Sequence, residues 1–276
     1  MPLPECLQHD VVTFEQRCRA SARAISLPDD VLLATVFETH LLYLDAHDRM
    51  FTPHACTSYW ESWVSLCLAR SIVPGASCLD LGAHQAWYTL LMALATGPTG
   101  HVCGVEPNPR LAGLCRWSLD VNGVHAYSTI VEAAVSETAG KPATLVMAPH
   151  RAGNATLVRE PTAVDHVMPV TTTTVDVLTQ DWPRLDLIKC DIEGSEEAMW
   201  AGMTQTLRRF PKLTLVLEVN TARYEDPERF YRSLAAHFPL RAIDLQVRPR
   251  QVTIDELMTV HPTEDWMLWL RRSGTL

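Results

Sequence analysis

The pattern of apolar and polar positions changes texture near residue 75. Before that point, apolar residues cluster in Val31-Leu32-Leu33-Ala34-Thr35-Val36-Phe37 and again in Leu41-Leu42-Tyr43-Leu44, a spacing that predicts helices. Asp29-Asp30 stands where a cap for the first of them belongs. A third helix is predicted over about 58–71, carrying Trp60, Trp63 and Leu66, with Pro74-Gly75 ending it. Residues 1–74 are therefore expected to form an N-terminal helical extension, acting as a lid or as a homodimer surface.

From Ser77 onward, short apolar runs alternate with amphipathic stretches. Strands are predicted over 78–81, 101–105, 129–131, 185–190, 213–217 and 240–243, and helices over 87–95, 109–121, 195–209 and 227–237. Residues 266–270 read as a final strand inserted near one edge. Such alternation predicts a Rossmann-like α/β domain over 75–276, mostly parallel, with helices on both faces of the sheet. The stretch 138–170 breaks the rhythm with Pro142, Pro149, Gly153, Pro161 and Pro169, while Ala143-Thr144-Leu145-Val146-Met147 alternates like one extra strand.

Composition narrows the partners. Hydrophobic residues make up 47% of the 276, enough for a full core, and the formal charge is −9. A binder of bare nucleic acid carries a basic footprint, so the expected partner is a small molecule or a sugar and not a nucleic acid. None of the eight cysteines forms a C-x-x-C pair, and several sit in apolar runs, which predicts buried reduced thiols and a cytoplasmic location. Met1-Pro2-Leu3-Pro4-Glu5 has neither the basic start nor the following apolar run of a signal peptide. No stretch is long enough to span a membrane, so no membrane partner is expected.

In open parallel sheets the ligand binds beyond the carboxyl ends of the strands. Here those ends read Asp80-Leu81-Gly82-Ala83-His84, Glu106-Pro107-Asn108-Pro109, Asp191-Ile192-Glu193-Gly194 and Glu218-Val219-Asn220. Acidic residues converge, which suits a cationic, ribose-bearing ligand. Glu106 follows Asp80 by 26 positions, near the ~20 expected for a carboxylate that accepts from ribose hydroxyls. Gly82 permits a tight turn and close backbone approach. The loop lacks the G-x-G-x-x-G of dinucleotide binders, which argues against a nicotinamide oxidoreductase.

These residues also resemble a family. Asp80-Leu81-Gly82-Ala83-His84-Gln85-Ala86-Trp87-Tyr88-Thr89 resembles the D-x-G-A-N-x-G-x-Y-T loop of FkbM-type methyltransferases, and Val105-Glu106-Pro107-Asn108-Pro109 its E-P-N-P segment. Asn122-Gly123, Ala133-Ala134-Val135-Ser136 and Thr174-Val175-Asp176 match further segments in order. The run from Leu187 to Glu196 (Leu187-Ile188-Lys189-Cys190-Asp191-Ile192-Glu193-Gly194-Ser195-Glu196) resembles the L-I-K-I-D-V-E-G-x-E signature. The likeness covers roughly 75–220. It implies a class I sheet of seven strands with the last antiparallel, S-adenosylmethionine as cofactor, and O-methylation of small natural products or sugars. It assigns Asp80, Gly82 and Ala83 to the methionine end of the cofactor and Glu106 to the ribose. Pro107 and Asn108 flank the ribose, Glu132 and Ala133 lie near the adenine, and Glu61 and Asp191 complete the cofactor contacts. Two departures are His84 in place of asparagine and Ala86 in place of glycine.

Deprotonation of an alcohol acceptor calls for a general base or a metal. Asp191 and Glu193 are the leading catalytic candidates, with His84 a third. Glu193 has a structural alternative as a helix cap. Asp191, Glu218 and Asn220 form a candidate site for magnesium, placed as in catechol-type methyltransferases. N-methylation of a small molecule and a catalytically silent cofactor-binding role, favoured by Ala86 alone, are the alternatives. Trp60, Trp63 and Trp87 are expected at a pocket wall, and Trp117, Trp200, Trp266 and Trp269 in packed layers.

Overall fold

A computed structural model describes residues 3–149, 155–157, 160–259 and 265–272; Gly153 of the proline-rich stretch and the first two residues lie outside them. Helix α1 (Val11–Ser21) begins at Asp10, whose side chain accepts from the Thr13 amide. The next three elements are strands: β1 (Ala24–Leu27), β2 (Val31–Val36) and β3 (His40–Asp45), an antiparallel meander. The helices expected over 31–37 and 41–44 are thus overturned. Asp29 and Asp30, at φ +60° and +56°, make the turn before β2 and do not cap a helix. Phe37 and Glu38, at +47° and +68°, make the turn after it. Right-handed helices exclude such residues, and the β-branched Val31, Thr35 and Val36 favour extended backbone. Helices α2 (Phe51–Ala55) and α3 (Ser62–Ser71) follow, so the extension is a mixed α/β unit and not a helical one.

The α/β rhythm then runs as expected: β4 (Ser77–Leu81), α4 (Trp87–Thr96), β5 (His101–Val105), α5 (Pro109–Val121) and β6 (Ser128–Val131). Strands β7 (Ala134–Val135), β8 (Pro142–Met147) and β9 (His166–Thr173) form a small side sheet in the order β7-β9-β8. The alternation over 143–147 falls within β8. After α6 (Val175–Thr179) and β10 (Leu187–Cys190), the single helix expected over 195–209 is split into α7 (Glu196–Ala201) and α8 (Thr204–Arg209). Gly202 marks the break, where a Cβ would stand 2.5 Å from the Ser136 carbonyl oxygen. The chain closes with β11 (Thr214–Val219), α9 (Pro227–Ala235), β12 (Arg241–Ile243), β13 (Pro249–Gln251), α10 (Ile254–Met258) and β14 (Trp266–Arg271).

The main sheet has the order β13-β12-β14-β11-β10-β4-β5-β6. Strand β14 lies antiparallel between β11 and β12, the insertion expected of it. The short β13 adds an eighth strand to the seven expected. Every residue of β4, β10 and β11 is buried, because helices cover both faces of a parallel sheet. Each buried Leu, Ile or Val there contributes about 1.5–3 kcal/mol. All eight cysteines are free thiols, only Cys56 among them being partly accessible. Among the described residues, no helix is long and apolar enough to cross a membrane.

Strands β4 and β10 are neighbours, and the chain leaves them in opposite directions, toward β5 and β6 on one side and toward β11 on the other. The crevice beyond their carboxyl ends is where such sheets bind ligands. Gly82 turns there at φ +81°, and a Cβ on it would sit 1.9 Å from the Asp191 carbonyl oxygen. The N-terminal unit docks beside this turn. The buried Gln85 accepts from the Asp45 amide at 2.6 Å and donates to Asp48 at 3.3 Å. The open edge of β3 is paired by side chains of α5. Asn122 accepts from the Leu41 amide (3.0 Å) and donates to its carbonyl (2.7 Å), and Ser118 accepts from the Tyr43 amide (3.0 Å). Phe14, Leu44 and Leu66 of the extension share one apolar cluster with Leu90 and Leu94 of α4.

Two glycines should respond oppositely to alanine. Gly82→Ala is expected to cost more than about 3 kcal/mol, from steric overlap added to a left-handed backbone. Gly113→Ala, inside α5 where a Cβ meets nothing within 4 Å, is expected to stabilise by about 0.5–1 kcal/mol. Urea unfolding of the two variants measures both signs.

Candidate active site

A cavity of about 290 Å³ opens at the carboxyl ends of β4, β5, β10 and β11. The N-terminal unit supplies part of its wall through Met50, Phe51, Trp60 and Glu61, and the side sheet supplies Ala134, Val135 and Leu145. The Phe51 ring packs edge-on against Trp60 at 5.2 Å and against His84 at 4.9 Å between centroids.

Glu106 ends β5 and lines this cavity although its side chain is buried. Its two oxygens accept from the backbone amides of His84 and Asn108, each at 2.8 Å. Burial pushes its carboxyl up to about 7, against the pull of those amides and of His84. Each oxygen keeps a lone pair for a ligand hydroxyl. Gly82, Ala83, Pro107 and Ala133 line the cavity as expected. Asn108 lies beneath it, where its side chain caps α5 by accepting from the Arg110 amide and its amide group contacts Met147. Asp80 is fully buried inside β4 and does not line the cavity. One of its oxygens accepts from Thr89 at 2.5 Å, while the other has no hydrogen-bond partner among the described residues. Burial pushes its carboxyl up to about 6. Glu132 points out to solvent and pairs with Arg116 at 3.6 Å, away from the cavity.

Ala86 keeps the left-handed backbone expected of a glycine, at φ +66°, and its methyl is buried in the apolar cluster of the N-terminal side. It does not line the cavity, so it does not obstruct it. His84 also has positive φ. Its Nε2 lies 2.8 Å from Asp48, a buried carboxylate that accepts from the Met50 and Phe51 amides. Burial alone would raise Asp48, but these hydrogen bonds hold it below the usual carboxylate range.

At the ends of β10 and β11 the carboxyls gather around two cations. Lys189 is buried, with its Nζ 3.0 Å from Asp191 and 4.7 Å from the centre of the Tyr88 ring. Burial would lower the ammonium, but Asp191, Asp80 and Glu61 hold it above its ordinary value. The Tyr88 hydroxyl donates to Glu61, whose carboxyl burial pushes up. Arg223 lies 2.7 Å from Glu218, 3.1 Å from Glu193 and 3.0 Å from Asp265. Burial would raise Asp191, but Lys189 and a hydrogen bond from Glu218 keep it below the usual carboxylate range. Glu218 goes well above that range through burial and through the charges of Asp191 and Asp265. The neighbouring charges thus favour the ionised form of Asp191, whereas burial favours the protonated form of Glu218.

The cap position of α7 is Ser195, without a side-chain cap, and not Glu193. Glu196, the first residue of the helix, reaches back to accept from the Ile192 and Gly194 amides and also accepts from the Tyr224 hydroxyl. Of the candidate magnesium ligands, Asp191 and Glu218 come together with Glu193, one oxygen of each lying within 4.8 Å of the others. Asn220 does not line the cavity; its oxygen accepts from the Ala222 amide and its amide group donates to Asp265. The three carboxyls have the spacing for a hard cation, but Asp191 lies on Lys189, and Glu193 and Glu218 on Arg223, so the charge that magnesium would bring is already supplied. Arg223, Asp265, Asp48 and the aromatic pair Phe51 and Trp60 complete the site. Of these, only Trp60 stands out in the sequence.

The sequence matches the family described as Methyltransferase FkbM domain over residues 80–272. The chain belongs to that family and is a class I S-adenosylmethionine-dependent methyltransferase. No curated protein matches it. Similar solved structures include precorrin-6Y C5,15-methyltransferase from Geobacter metallireducens GS-15, at 14% identity over 78% of this chain and 90% of that one, TM-score 0.44. The O-methyltransferase from Bacillus cereus in complex with SAH is 14% identical over 78% and 82%, TM-score 0.43. TYW2 of P. horikoshii in complex with MeSAdo is 10% identical over 89% and 71%, TM-score 0.47. The cavity fits the cofactor in three respects. Glu106 presents a buried carboxylate for two hydroxyls, Ala133, Ala134, Val135 and Leu145 form an apolar shelf for a flat base, and Asp191 and Glu61 lie where positive charge would be held.

Ligand hydroxyls donate to the ionised form of Glu106, so binding competes with its protonation. With the carboxyl pushed up to about 7, affinity for S-adenosylhomocysteine should be full above pH 8 and fall as pH drops, by about tenfold at pH 6. Calorimetric titration at the two pH values measures the ratio.

Proposed function

We propose that this chain methylates a hydroxyl oxygen of a small acceptor, such as a natural product or a sugar. The observation that carries the reading is the Asp191 carboxylate at the cavity wall, 3.0 Å from the Lys189 ammonium that favours its charged form and beside Glu218. When bound, S-adenosylmethionine supplies a methyl group on a sulfonium that leaves as a neutral thioether. Holding the acceptor in line supplies most of the rate. As the new C–O bond forms, the hydroxyl proton becomes strongly acidic, so a carboxylate of low pKa suffices to take it. Asp191 and Glu193 each face a cation, Lys189 and Arg223, and Asp191 is the one that directly follows the end of β10. His84, tied to Asp48 and bonded through its amide to Glu106, fits the cofactor wall.

Nitrogen acceptors suit the site less. Six carboxyls and two basic side chains, Lys189 and Arg223, line the cavity. Such a surface would stabilise an amine as ammonium, which has no lone pair to accept the methyl group. The same acids and the net charge of −9 disfavour a polyanionic acceptor. The free thiols suit a reducing compartment such as the cytoplasm.

Incubation with methyl-labelled cofactor and matched panels of hydroxyl and amine acceptors should place the label on oxygen. Asp191→Asn should lower kcat, at saturating cofactor, by about 10²–10⁴-fold. Label found only on nitrogen, or an Asp191→Asn enzyme as fast as the native one, would overturn the proposal.

A further inference from the structure

Arg223 is delivered to the site by a tightly fixed turn. The turn Thr221–Arg223 follows β11 directly, with Asn220 capping it through the Ala222 amide. The Thr221 hydroxyl donates to the Leu257 carbonyl at 2.8 Å and lies 3.0 Å from the Tyr231 hydroxyl. From this anchored position the guanidinium reaches Glu218, Glu193 and Asp265, carboxylates from two strand ends and from the segment before β14. A planar guanidinium with five donors can serve several carboxylates at once. Burial would lower its charge, yet those three acids hold it firmly protonated.

We infer that Arg223 is the resident cation of the acceptor end, a positioning residue that does there what a divalent metal does in metal-dependent methyl transfer. Two observations carry this. The oxygens of Asp191, Glu193 and Glu218 that lie within 4.8 Å of one another have the spacing that one divalent ion spans with oxygen bonds of about 2.0–2.6 Å. The guanidinium is already within hydrogen-bond distance of two of those three groups. Its fixed charge keeps Glu193 and Asp265 in place as carboxylates, and so holds the shape of the acceptor end. The catalytic part of the inference rests on the O-methylation reading. The placement of the cation does not.

The consequence is that removing the guanidinium should turn the site into a metal site. Buried carboxylates left without their partner are strongly destabilising, and a divalent ion can replace the lost charge. The experiment titrates Mn²⁺ into the native protein, Arg223→Met and Arg223→Lys, reading free Mn²⁺ by electron paramagnetic resonance and melting temperature in parallel. It requires neither cofactor nor acceptor, so failure of the acceptor reading leaves it intact. S-adenosylhomocysteine affinity of each variant reports separately on the cofactor site.

The native protein should bind Mn²⁺ no better than a generic acidic surface. Arg223→Met should melt lower than native, bind Mn²⁺ at least about tenfold more tightly, and recover melting temperature when the ion is added. Arg223→Lys should retain most of the native stability and gain little Mn²⁺ affinity, because one cation remains. A native protein that binds Mn²⁺ as tightly as Arg223→Met would overturn the inference. So would an Arg223→Met variant, folded or not, that Mn²⁺ neither binds nor stabilises.

Discussion

The carbonyl oxygen of Asp191 stands where a side chain on residue 82 would have to be. That single close approach ties the end of β4 to the end of β10 at the point where the strand order reverses. Because residue 82 is a glycine, the loop after β4 can turn at φ +81° and pass its Ala83 amide, with that of Gly82, to the Val105 carbonyl at 2.9–3.0 Å. Glu106 follows Val105 at once, and His84 follows the turn closely enough to donate its own amide to Glu106. Glu106, the loop and the strand that leads to Asp191 are therefore one mechanical unit. A change at any of the three reaches the other two.

The second determinant is charge. Six carboxyls line one cavity, and the buried Lys189 and the partly buried Arg223 offset their mutual repulsion. Lys189 points along β10 into the space between Asp80, Asp191 and Glu61, and Arg223 reaches in from the end of β11. Lys189 favours the charged form of Asp191, whereas burial, and then the charges of Asp191 and Asp265, favour the neutral form of Glu218. Two carboxyls of similar chemistry are thereby pushed in opposite directions, the pattern that separates proton acceptors from proton holders in active sites.

The parallel sheet was legible in the sequence because its strands are short, mostly apolar and separated by helical stretches of ordinary length, and the strand-end acids stood out against that background. The N-terminal meander was not. An apolar run of six or seven residues fits a helix or a strand equally well by periodicity. The deciding facts, left-handed turns at Asp29, Asp30, Phe37 and Glu38 and edge pairing by Ser118 and Asn122, are tertiary. Glu106 was readable from its position at a strand end. Asp80 and Glu132 were assigned to the cofactor on likeness alone, and the fold buries one below the cavity and turns the other to solvent. Arg223 and Asp265 escaped notice because neither sits in a motif or at the carboxyl end of a strand, and they meet only through the turn after β11 and the segment before β14.

The claim on which the rest depends is that the cavity between β4, β5 and β10 holds the cofactor through Glu106. Calorimetric titration of S-adenosylhomocysteine at pH 8 into the native protein and into Glu106→Ala tests it directly. The account predicts saturable one-to-one binding by the native protein and a loss of at least about 2 kcal/mol, some thirtyfold in affinity, in the folded variant. Equal binding by both proteins would move the ribose elsewhere, and no binding by the folded native protein would contradict the account at its centre.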